Sequence, residues 1–241
     1  MRTVIPKVGP RFYEYRCMWF LPLYHAPMTE LWSLFQNNDG NIIHKWTHYF
    51  PAYEEHFSRF KNRPAVLVEI GVFKGGSLEL WKKFLGPRVQ VVGIDIEDKS
   101  EYEQDQIAIR QGDQSDPVFL QSVVDEFGPP DIIIDDGSHQ MEHVTASFEF
   151  LYPRMSPTGV YFVEDMHTAY WPEYGGGLRK ADTFIEKSKH LIDELNADHA
   201  RGALAPTDFT RSTLSIHFFD SCVIFEKGRH LPKHDLMIGK E

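Results

Sequence analysis

The run DIIIDDGSH at residues 131–139 drives four strand-forming residues into two adjacent acids, a glycine, a hydroxyl and a histidine. A second run, GVYFVED at 159–165, ends in another acidic pair. Short apolar runs of this kind read as buried strands, so Asp135, Asp136, Glu164 and Asp165 stand at two strand tips. Four carboxylates brought that close repel one another and raise their own pKa values unless positive charge sits among them. A divalent cation meets that need, and an all-oxygen donor set points to Mg²⁺ or Mn²⁺ rather than zinc. His139 follows Asp136 by three residues and can reach a substrate held there. Imidazole titrates near neutrality, which suits it to general-base work. His143 and His167 lie near enough in sequence to compete for the role.

A second group of residues suits a nucleoside-like ligand. AVLVEI at 65–70 is followed by GVFKGGSLELW, which places Glu69, Gly71, Gly75, Gly76 and Ser77 at the turn from a strand into a helix. Glycines there let the backbone approach a ligand, and the helix start favours an anionic group. The spacing is not G-x-G-x-x-G, so a dinucleotide pyrophosphate fits less well than the carboxylate of S-adenosylmethionine (SAM). The next strand ends at Asp95, 26 residues past Glu69, where an acid can take the two hydroxyls of a ribose. Both NAD and SAM require such an acid, and Glu97 is the alternative. The following run ends in GDQSD, offering Asp113 and Gln114 to an adenine edge. Asp135 is counted with these cofactor-side residues.

These groups must be carried by strands that share one sheet. The runs at 65–70, 89–96, 107–113, 131–135 and 159–165 alternate with amphipathic stretches, a βαβ series that builds a doubly wound sheet. The best helix is 117–127, with Asp116 as cap, Pro117 at its first position and Gly128 to end it. The chain closes differently, with two strands over 213–228 around a tight turn at Asp220 and Ser221. A terminal antiparallel hairpin on a parallel sheet matches the seven-stranded SAM-dependent class, order 3-2-1-4-5-7-6, better than dinucleotide oxidoreductases.

Residues 1–60 have another character and read as an N-terminal helical cap ahead of a methyltransferase domain at 61–241. Trp46, Tyr49, Phe50, Tyr53, Phe57 and Phe60 form a stripe at helical spacing, which packs on the sheet or covers the cofactor mouth. Pro51 divides the stripe into two short helices. YGGGLRK at 174–180 is a flexible interruption, and with Trp171 and Tyr174 it reads as an aromatic lid over an acceptor, His167 nearby.

Composition narrows the partners. With 35 acidic against 25 basic residues the net charge is −10, which disfavours nucleic acid. Two cysteines, Cys17 and Cys222, make neither a disulfide framework nor a cysteine metal site and fit a reducing cytoplasm. The apolar run CMWFLPLY at 17–24 is too short to span a bilayer. A small-molecule or oligosaccharide acceptor and a homo-oligomer are expected.

Taken together, EIGVFKGGSLELWKKF, the GDQSD turn, DIIIDDGSH and VEDMHTAYWPEYGGG resemble the Mg²⁺-dependent sugar O-methyltransferases of macrolide tailoring, over residues 45–180. The resemblance implies a metal site at Asp136, Glu164 and Asp165, His139 as base, and transfer of a methyl group from SAM to a sugar hydroxyl. The macrolide enzymes also carry an additional N-terminal domain and a longer glycine loop after the first strand. A SAM- or nucleotide-binding module without turnover and an NAD-dependent oxidoreductase are the alternatives.

Overall fold

The computed structural model describes residues 29–239, so Cys17 and the apolar run at 17–24 lie outside the described residues. Five parallel strands form its centre: β1 Ala65–Ile70, β2 Val89–Asp95, β3 Ile107–Gln111, β4 Ile132–Asp135 and β5 Val160–Val163. Every residue of β4 and β5 is buried, as a parallel sheet covered on both faces requires. The terminal run folds into β6 Thr213–Phe219 and β7 Cys222–Lys227, turning at Asp220 and Ser221. Because β7 pairs antiparallel with β5, the order is β3-β2-β1-β4-β5-β7-β6, the seven-stranded methyltransferase arrangement.

Seven helices accompany the sheet in the described residues: α1 Glu30–Gln36, α2 Phe50–Phe57, α3 Gly76–Leu85, α4 Pro117–Phe127, α5 Met141–Leu151, α6 Phe184–Leu195 and α7 Asp208–Ser212. In α4 the Asp116 carboxylate accepts from the Val118 amide, and Gly128 closes the helix at φ 87°. The helix has the bounds its sequence signals give. Pro51 does not split α2; it sits in the first turn, where a missing N–H costs nothing, and 3₁₀ turns flank the helix on both sides.

Strand alternation sends side chains to two cores. Leu67, Ile132, Ile134 and Phe162 face α2 and α3, whereas Val68, Ile70, Ile133, Tyr161 and Val163 face α5 and α6. The helix after β1 and the helix after β4 thus cover opposite faces, opening a crevice between these adjacent strands where ligands bind in such sheets. The aromatic stripe packs into the first core. Tyr53 lies edge-on to Trp81 at 5.1 Å and against Phe162 at 4.8 Å. Trp46 leaves the stripe and is 55% exposed.

Glu226 of β7 joins the N-terminal segment to the hairpin. Its carboxylate accepts from His56 of α2 and from Arg59 just beyond. Burial acts to raise its pKa, but His56 and Arg59 outweigh burial and leave it below 4.5. A depressed carboxylate stabilises the fold above its unfolded pKa, and that contribution disappears as pH falls through the folded value. Glu226→Gln should cost about 1–3 kcal/mol at pH 7. In urea unfolding across a pH series, its gap to wild type should narrow only below 4.5.

Candidate active site

The register of β1, β4 and β5 decides which acids meet. Asp135 pairs with Ile70 and with Val163, so the three strand tips are level. Glu69, Asp136 and Glu164 continue the alternation of Leu67, Ile134 and Phe162, and all three turn toward the α2–α3 face. Asp135 turns the other way. It is 1% exposed and accepts from Gln114, Ser147 and Tyr161. Burial raises its pKa, opposed by those hydrogen bonds. The expected convergence of four carboxylates is therefore divided by the sheet, and Asp135 lines neither of the cavities described below.

Positive charge does sit among the acids, and the chain supplies it. Lys45, in the segment between α1 and α2, places Nζ 2.9 Å from Glu69 Oε1, 2.6 Å from Asp136 Oδ2 and 2.9 Å from Glu164 Oε1. Its side chain is 2% exposed. Burial alone would discharge this ammonium, but the attraction of Asp136, Glu164 and Glu69 exceeds that cost and holds its pKa well above the ordinary lysine value. Burial and the nearby Asp136 charge push Glu164 upward, with Lys45 opposing. With three acids around one amine, the proton stays on the amine. Glu69 also accepts from Ser77 Oγ at 2.8 Å and Trp81 Nε1 at 3.2 Å, so both residues are engaged with each other behind the glycine turn.

Beyond Lys45 lies a second group. Asp136, His139 and Asp165 each offer a ligand atom within 4.8 Å of the others. His139 Nε2 is 3.8 Å from Asp136 Oδ1 and 3.7 Å from Asp165 Oδ2, while Tyr49 donates its hydroxyl to Asp165 Oδ1 at 2.7 Å. Both His139 (φ 56°) and Asp165 (φ 53°) adopt left-handed backbone. Of the competing histidines, His143 contacts Ser138 Oγ and lines a different cavity, and His167 contacts Ser221 Oγ. His167 Nδ1 also lies 4.0 Å from Asp165 Oδ1, but of these three histidines only His139 stands between the two aspartates.

This group opens on a cavity of about 480 Å³, whose wall also includes Glu164, Lys45, Trp46 and Asp95. A narrower cavity of about 270 Å³ adjoins it across Gly71, Asp95 and Gly137. Ile70, Ile94 and Ile96 make its wall apolar, and Asp113 borders it. Asp95 accepts from the Val72 and Glu97 amides, which fixes the carboxylate at the junction. Asp113 is held below the usual carboxylate range by the Ser115 amide and hydroxyl. Gln114 lines the same cavity while it donates to Asp135 and accepts from the Ser138 amide, bracing the loop that carries His139. Gly71 has a steric reason, since a Cβ there would meet the Asp136 carbonyl oxygen at 2.2 Å. Gly75 caps α3 at φ 75° against Tyr102.

Aromatic rings border the acceptor side. Tyr174 lies 6.3 Å from the His139 ring, Trp171 lies 5.9 Å from Tyr174 and 4.8 Å from His167, and His167 lies 6.0 Å from Trp46. The glycine run is hydrogen-bonded rather than open. The Gly176 amide donates to Trp171 and that of Gly177 to Ala169. Sequence reasoning placed neither Lys45 nor Tyr49 in the site. The available signal was a lysine inside IIHKWTHYF, where an apolar setting obliges a cation to find acids.

The family model described as rhamnosyl O-methyltransferase/CmcI matches residues 38–180. The mycinamicin VI 2''-O-methyltransferase of Micromonospora griseorubida is 38% identical over 84% of the chain. The demethylmacrocin O-methyltransferase of Streptomyces fradiae is 40% identical over 83% of it. In each case the match covers 53% of the relative, so the chain spans about half the length of the curated relatives it matches. Among solved structures, the mycinamycin-pathway methyltransferase MycE in complex with Mg, SAH and mycinamycin VI superimposes with a TM-score of 0.72 and 37% identity, covering 84% of this chain and 53% of that one. The matched residues run from the segment bearing Lys45 through both acidic strand tips to the aromatic loop, and by that match the chain belongs to the rhamnosyl O-methyltransferase/CmcI family.

Proposed function

We propose that this chain transfers the methyl group of SAM to a hydroxyl of a sugar, on a small glycoside or an oligosaccharide, with Mg²⁺ or Mn²⁺ at the acidic centre. One observation carries the reading: Asp136, His139 and Asp165 converge at the mouth of a cavity that adjoins a nucleoside-sized, partly apolar one. The relatives' sugar O-methyltransferase activities and the Mg and SAH in the MycE complex support it.

The donor set suits a hard cation. Asp136 Oδ1 and Asp165 Oδ2 would hold it, with Glu164 on the same cavity wall. The bound cation supplies Lewis acidity toward an acceptor hydroxyl, and the sulfonium of SAM supplies an electrophilic methyl carbon. The remaining work belongs to the chain. His139 Nε2 faces the same small volume as the two aspartates, so it takes the hydroxyl proton as general base. Asp95 at the junction of the cavities accepts from ribose hydroxyls, and the isoleucine wall receives the base, bordered by Asp113. Trp171, Tyr174 and His167 offer flat faces to a sugar ring and hold it against the base. Catalysis is then largely positioning of the two reacting atoms.

Incubation with SAM and Mg²⁺ against a panel of glycosides should give products heavier by one methyl group. Excess EDTA should abolish that product while SAH still binds calorimetrically, and Mg²⁺ should restore it; full turnover in chelator would refute the metal role. His139→Ala should lose on the order of 10²- to 10⁴-fold in kcat with SAH affinity near wild type. Should the large loss fall on His143→Ala or His167→Ala instead, the base lies there.

A further inference from the structure

Lys45 belongs to no expected catalytic or binding set, yet it is the most heavily engaged side chain of the site. Its ammonium touches one carboxylate from each of three strand tips and is 2% exposed. A buried lysine of this kind is a costly feature, retained where the acids around it need their charge balanced. The geometry of its contacts is selective. Lys45 occupies Asp136 Oδ2 and Glu164 Oε1, which leaves Asp136 Oδ1 as the oxygen turned toward His139 and Asp165. On the other flank, Tyr49 from the same short segment occupies Asp165 Oδ1 and leaves Oδ2 turned toward His139. One stretch of five residues thus caps the outer oxygen of each aspartate and presents the inner ones.

We propose that Lys45 is a positioning residue that keeps the divalent cation out of the hollow beside Glu69 and confines it to the cavity face onto which Asp136, Glu164 and Asp165 open beside His139. Without the ammonium, the buried Glu69 and Glu164 and the part-buried Asp136 would form a more negative hollow next to that face. A cation drawn into it is bound more tightly and lies away from the acceptor. Lys45 therefore trades cation affinity for placement. This rests on the cation reading above, and the experiment separates the two.

Mn²⁺ binding is measured by electron paramagnetic resonance on wild type and Lys45→Met, without SAM or acceptor, beside methyl-transfer kinetics and thermal melting. Wild type should bind Mn²⁺; if it does not, the cation reading fails and this inference with it. Given that binding, Lys45→Met should hold Mn²⁺ on the order of tenfold more tightly. Its kcat should drop on the order of 10²-fold while KM for SAM stays near wild type. The opposite signs are diagnostic, since a lysine that only braces the fold would leave affinity unchanged or lowered. Unchanged or weaker Mn²⁺ binding in a folded variant overturns the proposal. Should Lys45→Met not fold, Lys45→Met/Glu69→Gln, which removes one charge of each sign, carries the same test with the same expected direction.

Discussion

Carboxylates packed at neighbouring strand tips stay ionised when positive charge stands among them, and here a side chain of the protein supplies that charge. Lys45 reaches the tips of β1, β4 and β5 from the segment between α1 and α2, so the acidic centre is only complete when that segment is docked. Docking in turn depends on apolar packing. Tyr49, Phe50, Tyr53 and Phe57 are each no more than 1% exposed and lie in one core with α3 and the sheet. Burial of such large side chains is worth about 1.5–3 kcal/mol each, enough to hold the segment that delivers the ammonium. Hydrophobic burial and site electrostatics are therefore coupled through a few consecutive residues.

The period of two along a strand does the sorting. Adjacent acids in sequence point to opposite faces, so Asp135 joins Gln114, Ser147 and Tyr161 in a closed polar network beneath the loop, while Asp136 faces the cavity. The network is not idle. Gln114 links Asp135 to the Ser138 amide and so fixes the loop between the strand tip and His139. A buried polar network with every partner satisfied rigidifies what it touches. Here it touches the residue before the base.

Much of this was legible in the sequence because it depends on short-range rules. The five apolar runs, the cap and stop of α4, and the turn at Asp220 and Ser221 are local signals, and the strand order followed from the βαβ series and the terminal hairpin. Asp136, Asp165 and His139 were also readable, being clustered at strand ends. Glu69, Ser77, Gln114 and Asp135 were placed on the ligand side by the same logic; their side chains bond to one another or to Lys45, Trp81, Ser147 and Tyr161, and Gln114 also lines the narrower cavity. The parity of Leu67, Ile134 and Phe162 contained that division: 69, 136 and 164 fall on one face and 135 on the other. The partners of Lys45 were not readable, since they lie 24, 91 and 119 positions away and the docked segment brings them together.

Two backbone outliers complete the geometry. His139 and Asp165 are not glycine, yet both sit in the left-handed region, and each contributes an atom to the same three-residue group. A non-glycine residue there costs on the order of 1–3 kcal/mol and persists only where its surroundings over-determine it. For Asp165 the surroundings are the Tyr49 hydroxyl and the Thr168 hydroxyl and amide, which donate to its side chain and carbonyl. For His139 they include the braced Ser138 and the Tyr174 ring. In ordinary strand continuation Asp165 would follow the alternation and turn away from Glu164's face, as Asp135 turns from that of Asp136. The left-handed turn at Asp165 breaks the alternation at that residue, and by doing so brings a second aspartate to the side of the sheet where Asp136 already stands.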